Sequence, residues 1–396
     1  MKNRLFAFLV ICVVAFELPA QAPRLSPSSQ ISLITCGPWQ GELYSAFGHS
    51  AFRVYDPVSN IDWVFNYGTF DFNQPNFYLN FARGRNMYML SVQDYPPFRD
   101  HYIGNNRYIH EQVLNLDAHR LQQLFQYLWN NALPQNREYR YDYFYDNCST
   151  RPRDVLKAVL GDSLRFDYNW VKDGPTIREL TDRYLNLQPW GDLGIDICLG
   201  LPMDKPASGE EHLFLPDYLE TAADHAFIIR NGQEMPLVRT KMNIYDAVPE
   251  TTSASLSHPW LVFGGLLAMA VWLTYRDSPF GRWLDRLLWL VTGSVGLLLL
   301  LLWLVTDHRA AAWNMNLLWA MPLNLVIPFM SPRMRSVYMR TMAVWTALVL
   351  VFWAFLPQDL NVFLIPVAVA LLMRYGYHGF RKDLEDRGLI KSQVAA

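Results

Sequence analysis

Hydrophobic and polar positions are arranged along this chain in three distinct ways. From Leu5 to Phe16 the residues are almost continuously apolar behind Lys2 and Arg4, and Ala20-Gln21-Ala22 follows. A basic start, a short apolar core and an A-x-A site predict a signal peptide over residues 1–22, with the mature chain starting near Pro23. Between residues 23 and 256 the apolar positions alternate and break often. After residue 256 they run together, in Pro259–Tyr275, Leu287–Val305, Ala310–Met330, Thr341–Leu356 and Leu360–Met373. A helix needs roughly 20 apolar residues to cross the hydrocarbon core. Residues 257–375 are therefore predicted to form an all-α domain of five transmembrane helices.

Within 23–256 the alternation predicts strands at Ile31–Cys36, Ser50–Tyr55, Asp62–Tyr67, Met87–Val92 and Tyr108–Leu116. Asp117 is placed to cap a helix whose Leu121, Leu124, Phe125 and Leu128 share one face. The aromatic stretch 137–145 reads as extended. A helix then starts close to Cys148, because Pro152 is tolerated only in a first turn, and Gly161 stops it. Leu215–Ala226 reads as helix, and Asn231-Gly232 as a tight hairpin turn. The exported domain is thus α+β.

Loop charge orients the chain. Arg276, Arg282 and Arg286 follow the first span, and Arg333, Arg335 and Arg340 follow the third; the tail adds Arg374, Arg381, Lys382, Arg387 and Lys391. The other connections carry only Arg309. This alternation puts a tail of residues 376–396 in the cytoplasm and residues 23–256 in the periplasm, as expected of a multi-pass protein of the cell inner membrane. The 51% hydrophobic content therefore averages a water-exposed part and a lipid-dissolved part, and a net charge of −2 gives no reason to expect nucleic acid as a partner.

Of four cysteines, Cys12 lies in the signal, leaving Cys36, Cys148 and Cys198. An odd number in an oxidising compartment suggests one disulfide and one free thiol, with Cys36 and Cys198 as candidates for the pair. Cys148 stands at a helix N-terminus, where unpaired N–H groups and the helix dipole favour the thiolate. A cysteine nucleophile needs a base. His49 opens a strand between small residues, and Asn66 or Asp62 on the paired strand is placed to orient its ring. Taken alone, these residues also fit a buried structural cysteine and an unrelated histidine. Zinc spacing of the CxxC or HExxH kind and the G-x-S-x-G elbow are both absent, so no metal or cofactor is expected. At the outer membrane boundary Asp307, His308, Asn314 and Asn316 are either functional groups or helix caps, the latter with Trp313 and Trp319 as an aromatic belt.

The strings ITCGPWQGELYSAFGHSAFRVYDP, FNYGTFDFNQPNFYLNFARG, YDYFYDNCSTRPRD, GIDICLGLPMDKP and TDHRAAAWNMNLLWAMPLN resemble, in order and over residues 25–375, the Lnb-type lipoprotein N-acyltransferases of Bacteroidota. The resemblance implies a circularly permuted NlpC/P60-like, papain-like exported domain in which the histidine precedes the cysteine. Cys148 would be the nucleophile, His49 its base and Asn66 the third polar group. The implied partners are a phospholipid acyl donor and a lipoprotein acceptor, the acyl chain passing through a Cys148 thioester. Backbone N–H groups at the start of the Cys148 helix would hold the oxyanion. Tyr44 would contact substrate, Arg151 and Arg153 would either meet the phospholipid phosphate or form a solvated helix end, and Asp307, His308, Asn314 and Asn316 would line the acceptor site. The alternative is a membrane-anchored cysteine peptidase or amidase acting on cell-wall peptides.

Overall fold

A computed structural model describes residues 21–172, 174–248, 257–276 and 279–386, with side chains to residue 381. The predicted signal up to residue 20, the domain boundary at 249–256 and the tail from 387 lie outside the described residues.

Strands β1 (Gln30–Cys36), β2 (His49–Asp56) and β3 (Ile61–Thr69) form an antiparallel meander, with β1 and β2 in register from Gln30↔Tyr55 to Cys36↔His49. A loop with a short helix α1 (Phe77–Ala82) leads to β4 (Met87–Asp94). Helix α2 (Tyr95–Gly104) then packs Tyr95, Phe98 and Tyr102 on one face of the sheet, over Ile34, Cys36, Ala51 and Val64. After β5 (Ile109–Leu114), helix α3 (Ala118–Ala132) covers the opposite face, against Phe52, Val54 and Phe65. The Asp117 carboxylate accepts from the Arg120 N–H at 2.9 Å, and Leu121, Leu124, Phe125 and Leu128 are buried, as the sequence predicts. The aromatic stretch yields only β6 (Glu138–Arg140) before the chain turns between Asp142 and Asp146 and enters α4 (Thr150–Leu160).

Next come β7 (Leu164–Arg165), α5 (Ile177–Leu185), α6 (Pro189–Cys198), α7 (Pro216–Asp224), β8 (Phe227–Arg230) and β9 (Gln233–Pro236). Asn231 and Gly232, with φ of 52° and 79°, make the expected tight turn between the last two strands. Finally β10 (Val238–Tyr245) pairs with β5 and completes a seven-stranded sheet of order β10-β5-β1-β2-β3-β4-β6. All three described cysteines are free, so no Cys36–Cys198 disulfide forms: Cys36 faces α2 from within β1, and Cys198 ends α6.

The membrane half contains α8 (Pro259–Arg276), α9 (Gly281–Leu304), α10 (Pro332–Phe352) and α11 (Ile365–Asp386). Among the described residues three helices, Gly281–Leu304, Pro332–Phe355 and Val362–Arg381, are long and apolar enough to cross a membrane. Helix α11 also runs past Tyr375, where the sequence placed the end of the membrane domain. The expected third helix, Ala310–Met330, is not one. It runs as short 3-10 turns at Arg309–Ala311, Met315–Leu318 and Pro322–Phe329, because Pro322 and Pro328 lack N–H donors and its asparagines bond sideways. It lies close along α9, where a Cβ on Gly296 would sit 1.9 Å from the Ala320 carbonyl oxygen. The Asn324 amide donates to Thr292 Oγ1 at 2.8 Å and accepts from the Tyr338 and Tyr375 hydroxyls at 2.8 and 2.7 Å. Irregular backbone at membrane depth survives only with such protein partners.

Polar contacts fasten the two halves together. Gly200 N–H donates to Ala310 O at 2.7 Å, Asn314 Nδ2 to Ile197 O at 2.8 Å, Gln358 Nε2 to Leu199 O at 2.9 Å and Asn361 Nδ2 to Asp196 Oδ2 at 2.8 Å. Beneath them Arg178, 1% exposed, pairs with Asp196 and Asp204, each at 2.8 Å.

A Cβ at Gly200 would lie 1.9 Å from the Ala312 carbonyl oxygen, so Gly200→Val must push the two halves apart. Overpacking of this kind costs about 1–3 kcal/mol. The thermal midpoint of the purified protein in detergent is expected to fall, and an unchanged midpoint would contradict this close approach.

Candidate active site

The turn into α4 is built around Asn147. Its Oδ1 accepts from the N–H groups of Ser149 and Thr150 at 2.8 and 2.9 Å, and its Nδ2 donates to Tyr143 O and Phe214 O, each at 2.8 Å. This turn points Cys148 at the end of the sheet where β2 begins and β3 ends. There the Ser50 N–H, its own N–H and the Tyr141 hydroxyl lie near enough to the sulfur to favour its thiolate. Gly68, with φ of 91°, passes so close that a Cβ there would be 3.2 Å from Cys148 Cβ.

His49 opens β2 directly before Ser50, so imidazole and thiol share one end of the sheet. His49 Nε2 bonds Asn66 Oδ1 at 2.6 Å, and its ring lies nearly parallel to that of Tyr102, with centroids 6.2 Å apart. A carboxamide oxygen only accepts, so Nε2 carries the ring proton and Nδ1 is left basic.

Both groups are half-buried, and the atoms around them desolvate any charge. Burial pushes the Cys148 thiol up to about 11, against the lowering effect of its hydrogen bonds and of Arg107. Burial likewise drives His49 down to about 4, although the Asn66 bond favours the protonated ring. The pair therefore rests uncharged at neutral pH, which corrects the expectation of a readily ionised thiol. Helix α4 begins only at Thr150, and Asn147 already occupies the N–H groups of Ser149 and Thr150. These N–H groups are equally unavailable to an oxyanion, leaving those of Cys148 and Ser50 and the Tyr141 hydroxyl.

Arg107 escaped the sequence reading. It is 5% exposed, donates from Nε to Gly37 O at 2.6 Å and lies 4.5 Å over the Tyr102 ring that stacks on His49. Its Nη2 is buried without a hydrogen-bond partner among the described residues, and its charge is felt by Cys36, His49 and Cys148. No local motif marks it, because Gly37 meets it only through the fold.

The other expected residues fall elsewhere. Asp62 is held by Arg53 at 2.7 and 3.0 Å and does not orient His49. Arg151 is committed to Asp146 and lies 3.9 Å over the Tyr139 ring, and Arg153 bonds Asp154 at 2.8 Å; neither is an open phosphate ligand. Tyr44 is exposed, edge-on to Phe70 at 5.8 Å. Asp307 pairs with Arg85 and Arg140 at 2.8 and 2.5 Å, and His308 Nε2 bonds Phe81 O at 3.1 Å. Asn314 and Asn316 cap the last carbonyls of α6 instead of lining the Cys148 site. Trp319 is buried and donates to Asn316 Oδ1 at 2.8 Å, so it is no belt residue, whereas Trp313 is exposed. Among the described residues Asp182, Asp192 and Asp196 bring oxygens within 4.8 Å of one another. Burial and mutual repulsion push Asp182 up to about 8 and Asp192 to about 6. The group thus retains a proton near neutral pH.

Two family models match the chain. That of the Lnb N-terminal periplasmic domain covers residues 24–183, which include His49, Asn66 and Cys148, and that of the Lnb transmembrane domain covers residues 251–383. No curated protein and no solved structure matches it.

The thiol's environment sets its reactivity. The rate of Cys148 alkylation by iodoacetamide, read against Cys148→Ser, is expected to rise about tenfold per pH unit between about pH 7 and 10. A plateau reached below pH 8 would show a preformed thiolate and contradict the neutral pair.

Proposed function

The chain belongs to the Lnb family, a family of membrane proteins with an exported domain, and from that premise we propose that it is a lipoprotein N-acyltransferase of the cell inner membrane. The observation that carries this reading is the shared end of the sheet. The Cys148 sulfur lies beside the Ser50 N–H there, and the preceding His49 is oriented by Asn66. The order of a strand-borne His49 before a Cys148 in the turn that enters α4 supports a permuted NlpC/P60-like exported domain.

In the first half-reaction the phospholipid ester carbonyl sits against Cys148. His49 Nδ1 takes the thiol proton as Sγ attacks the carbonyl carbon. The ester C–O bond breaks, His49 returns the proton to the departing alkoxide, and a lysophospholipid leaves behind a Cys148 thioester. In the second, the α-amino group of a diacylglyceryl-cysteine attacks the thioester. His49 takes the amine proton and passes it to the departing Cys148 sulfur, leaving an amide and the free thiol. Splitting one transfer into two in this way lowers each barrier.

Charge appears only as bonds change. The oxyanion of each tetrahedral intermediate would meet the Cys148 N–H, the Tyr141 hydroxyl and the field of Arg107. A single such donor is worth roughly 10²–10³ in rate. Asn66 fixes the ring tautomer and touches neither substrate.

Incubation with phospholipid is expected to leave a hydroxylamine-labile acyl group on the wild-type protein and none on Cys148→Ser. His49→Ala should slow its formation by about 10²–10⁴-fold, the usual worth of a general base. Mass spectrometry of lipoprotein N-termini should show N-acyl chains lost on deletion of the gene. Intact N-acylation together with altered muropeptides would overturn the proposal in favour of a cell-wall peptidase.

A further inference from the structure

The connection between β3 and β4 takes no part in the chemistry above, yet it is dense in aromatic residues that nothing covers. Phe72 is 58% exposed and Tyr78 77%, with Phe81 beside them at 44%. Clustered exposed rings are unfavourable in water and mark a contact surface.

Their position identifies the partner. The segment is tied to the outer end of α9: Asp307 N–H donates to Arg83 O at 2.9 Å, and His308 bonds Phe81 O at 3.1 Å. Helix α9 is one of the spans long and apolar enough to cross a membrane, and its last turn leaves Leu304 and Val305 exposed. Exposed rings fixed at the level where such a helix ends stand at the edge of the hydrocarbon, the depth that aromatic side chains favour. The cluster also has an inner end. Phe72 packs on Phe70 at 4.9 Å, Phe70 on Tyr88 at 5.2 Å, and Tyr88 stacks on Tyr141 at 4.2 Å. The Tyr141 hydroxyl in turn lies beside the Cys148 sulfur.

We propose that this connection dips into the outer leaflet through Phe72, Tyr78 and Phe81, and that the ring file Phe72–Phe70–Tyr88–Tyr141 is the wall along which a lipid acyl chain reaches Cys148. The first half stands on the placement of the rings. The second rests on the acyl-transfer reading. A file of rings offers continuous apolar contact, and it ends beside the sulfur that the chain's carbonyl must meet.

The test uses the full-length protein in phospholipid nanodiscs carrying a benzophenone side chain, as Tyr78→p-benzoylphenylalanine. The control carries it at Val58, which is 74% exposed in the turn at the other end of β2. Irradiation is expected to yield phospholipid adducts at position 78 and none above background at 58. In parallel, the triple variant Phe72→Ser, Tyr78→Ser, Phe81→Ser should need more phospholipid to reach the wild-type acyl-Cys148 yield, while soluble iodoacetamide still alkylates Cys148 at the wild-type rate. Absence of lipid adducts at 78, with thioester formation unchanged in the triple variant, overturns the inference and leaves acyl transfer standing. Adducts at 78 in a wild-type protein that never forms a thioester confirm membrane insertion and remove the acyl-transfer reading instead.

Discussion

The site depends first on one buried carboxamide. Asn147, 5% exposed, uses both of its amide hydrogens and takes two hydrogen bonds on its oxygen. Each buried polar group left without a partner costs roughly 1–3 kcal/mol, so the four contacts hold this turn in one conformation. One of them reaches Phe214 O, in the loop before α7. The same loop continues to Pro216, whose ring would be 3.4 Å from a Cβ on Gly48. Gly48 has φ of 83° and precedes His49. The turns that aim Cys148 and His49 are therefore referenced to one short segment, although the two residues lie far apart in sequence.

A second constraint places that site relative to the membrane. The last carbonyls of α6 are capped by Asn314 and Asn316, and its carboxylates by Arg178 and Asn361. A regular helix through 310–330 would satisfy its own backbone and turn these asparagines wherever its periodicity dictated. Broken into 3-10 turns, the segment can reach across to the exported domain with Asn314 and Asn316 and into the membrane unit with Asn324. Loss of helical regularity in the third apolar segment is thus what joins the two halves. A buried guanidinium between two carboxylates adds little net stability but is costly to break, so it favours one docking geometry over its neighbours.

Much of this was legible in the sequence, and the failures have physical causes. Strands β1 to β5 announce themselves because one or both faces are apolar, and α3 because Asp117 caps an apolar stripe. Helix α2 was missed although Tyr95, Phe98 and Tyr102 have helical spacing: Pro96 and Pro97 look like breakers, yet they occupy a first turn, where no N–H is needed. Edge strand β10 is exposed over much of its length and carries no strong alternation. Hydropathy marks the third apolar segment but not its broken backbone, because the partners of Asn324 lie on three other elements. The order of His49 and Cys148 could be read locally. The proximity of Arg107, the pairing of Arg151 with Asp146 and the desolvation of the thiol depend on chain that returns from elsewhere.

That desolvation bears on the chemistry in a way the sequence could not suggest. A thiolate–imidazolium pair kept at rest would place two charges where desolvation outweighs what Arg107, the nearby donors and Asn66 offer them, so the free protein holds thiol and imidazole neutral. The cost is a weak nucleophile while the site is empty. On the acyl-transfer reading the same surroundings serve the second step: a thioester is exposed to hydrolysis for as long as water reaches it, and a site poor in water leaves the amine as the competent nucleophile. The proton then moves over one short path, from attacking group to His49 to departing group, and the bond to Asn66 keeps the ring in the tautomer that permits it. Burial that slows Cys148 toward solvent reagents is thereby consistent with a transferase, since a hydrolase has no need to shelter its acyl-enzyme from water.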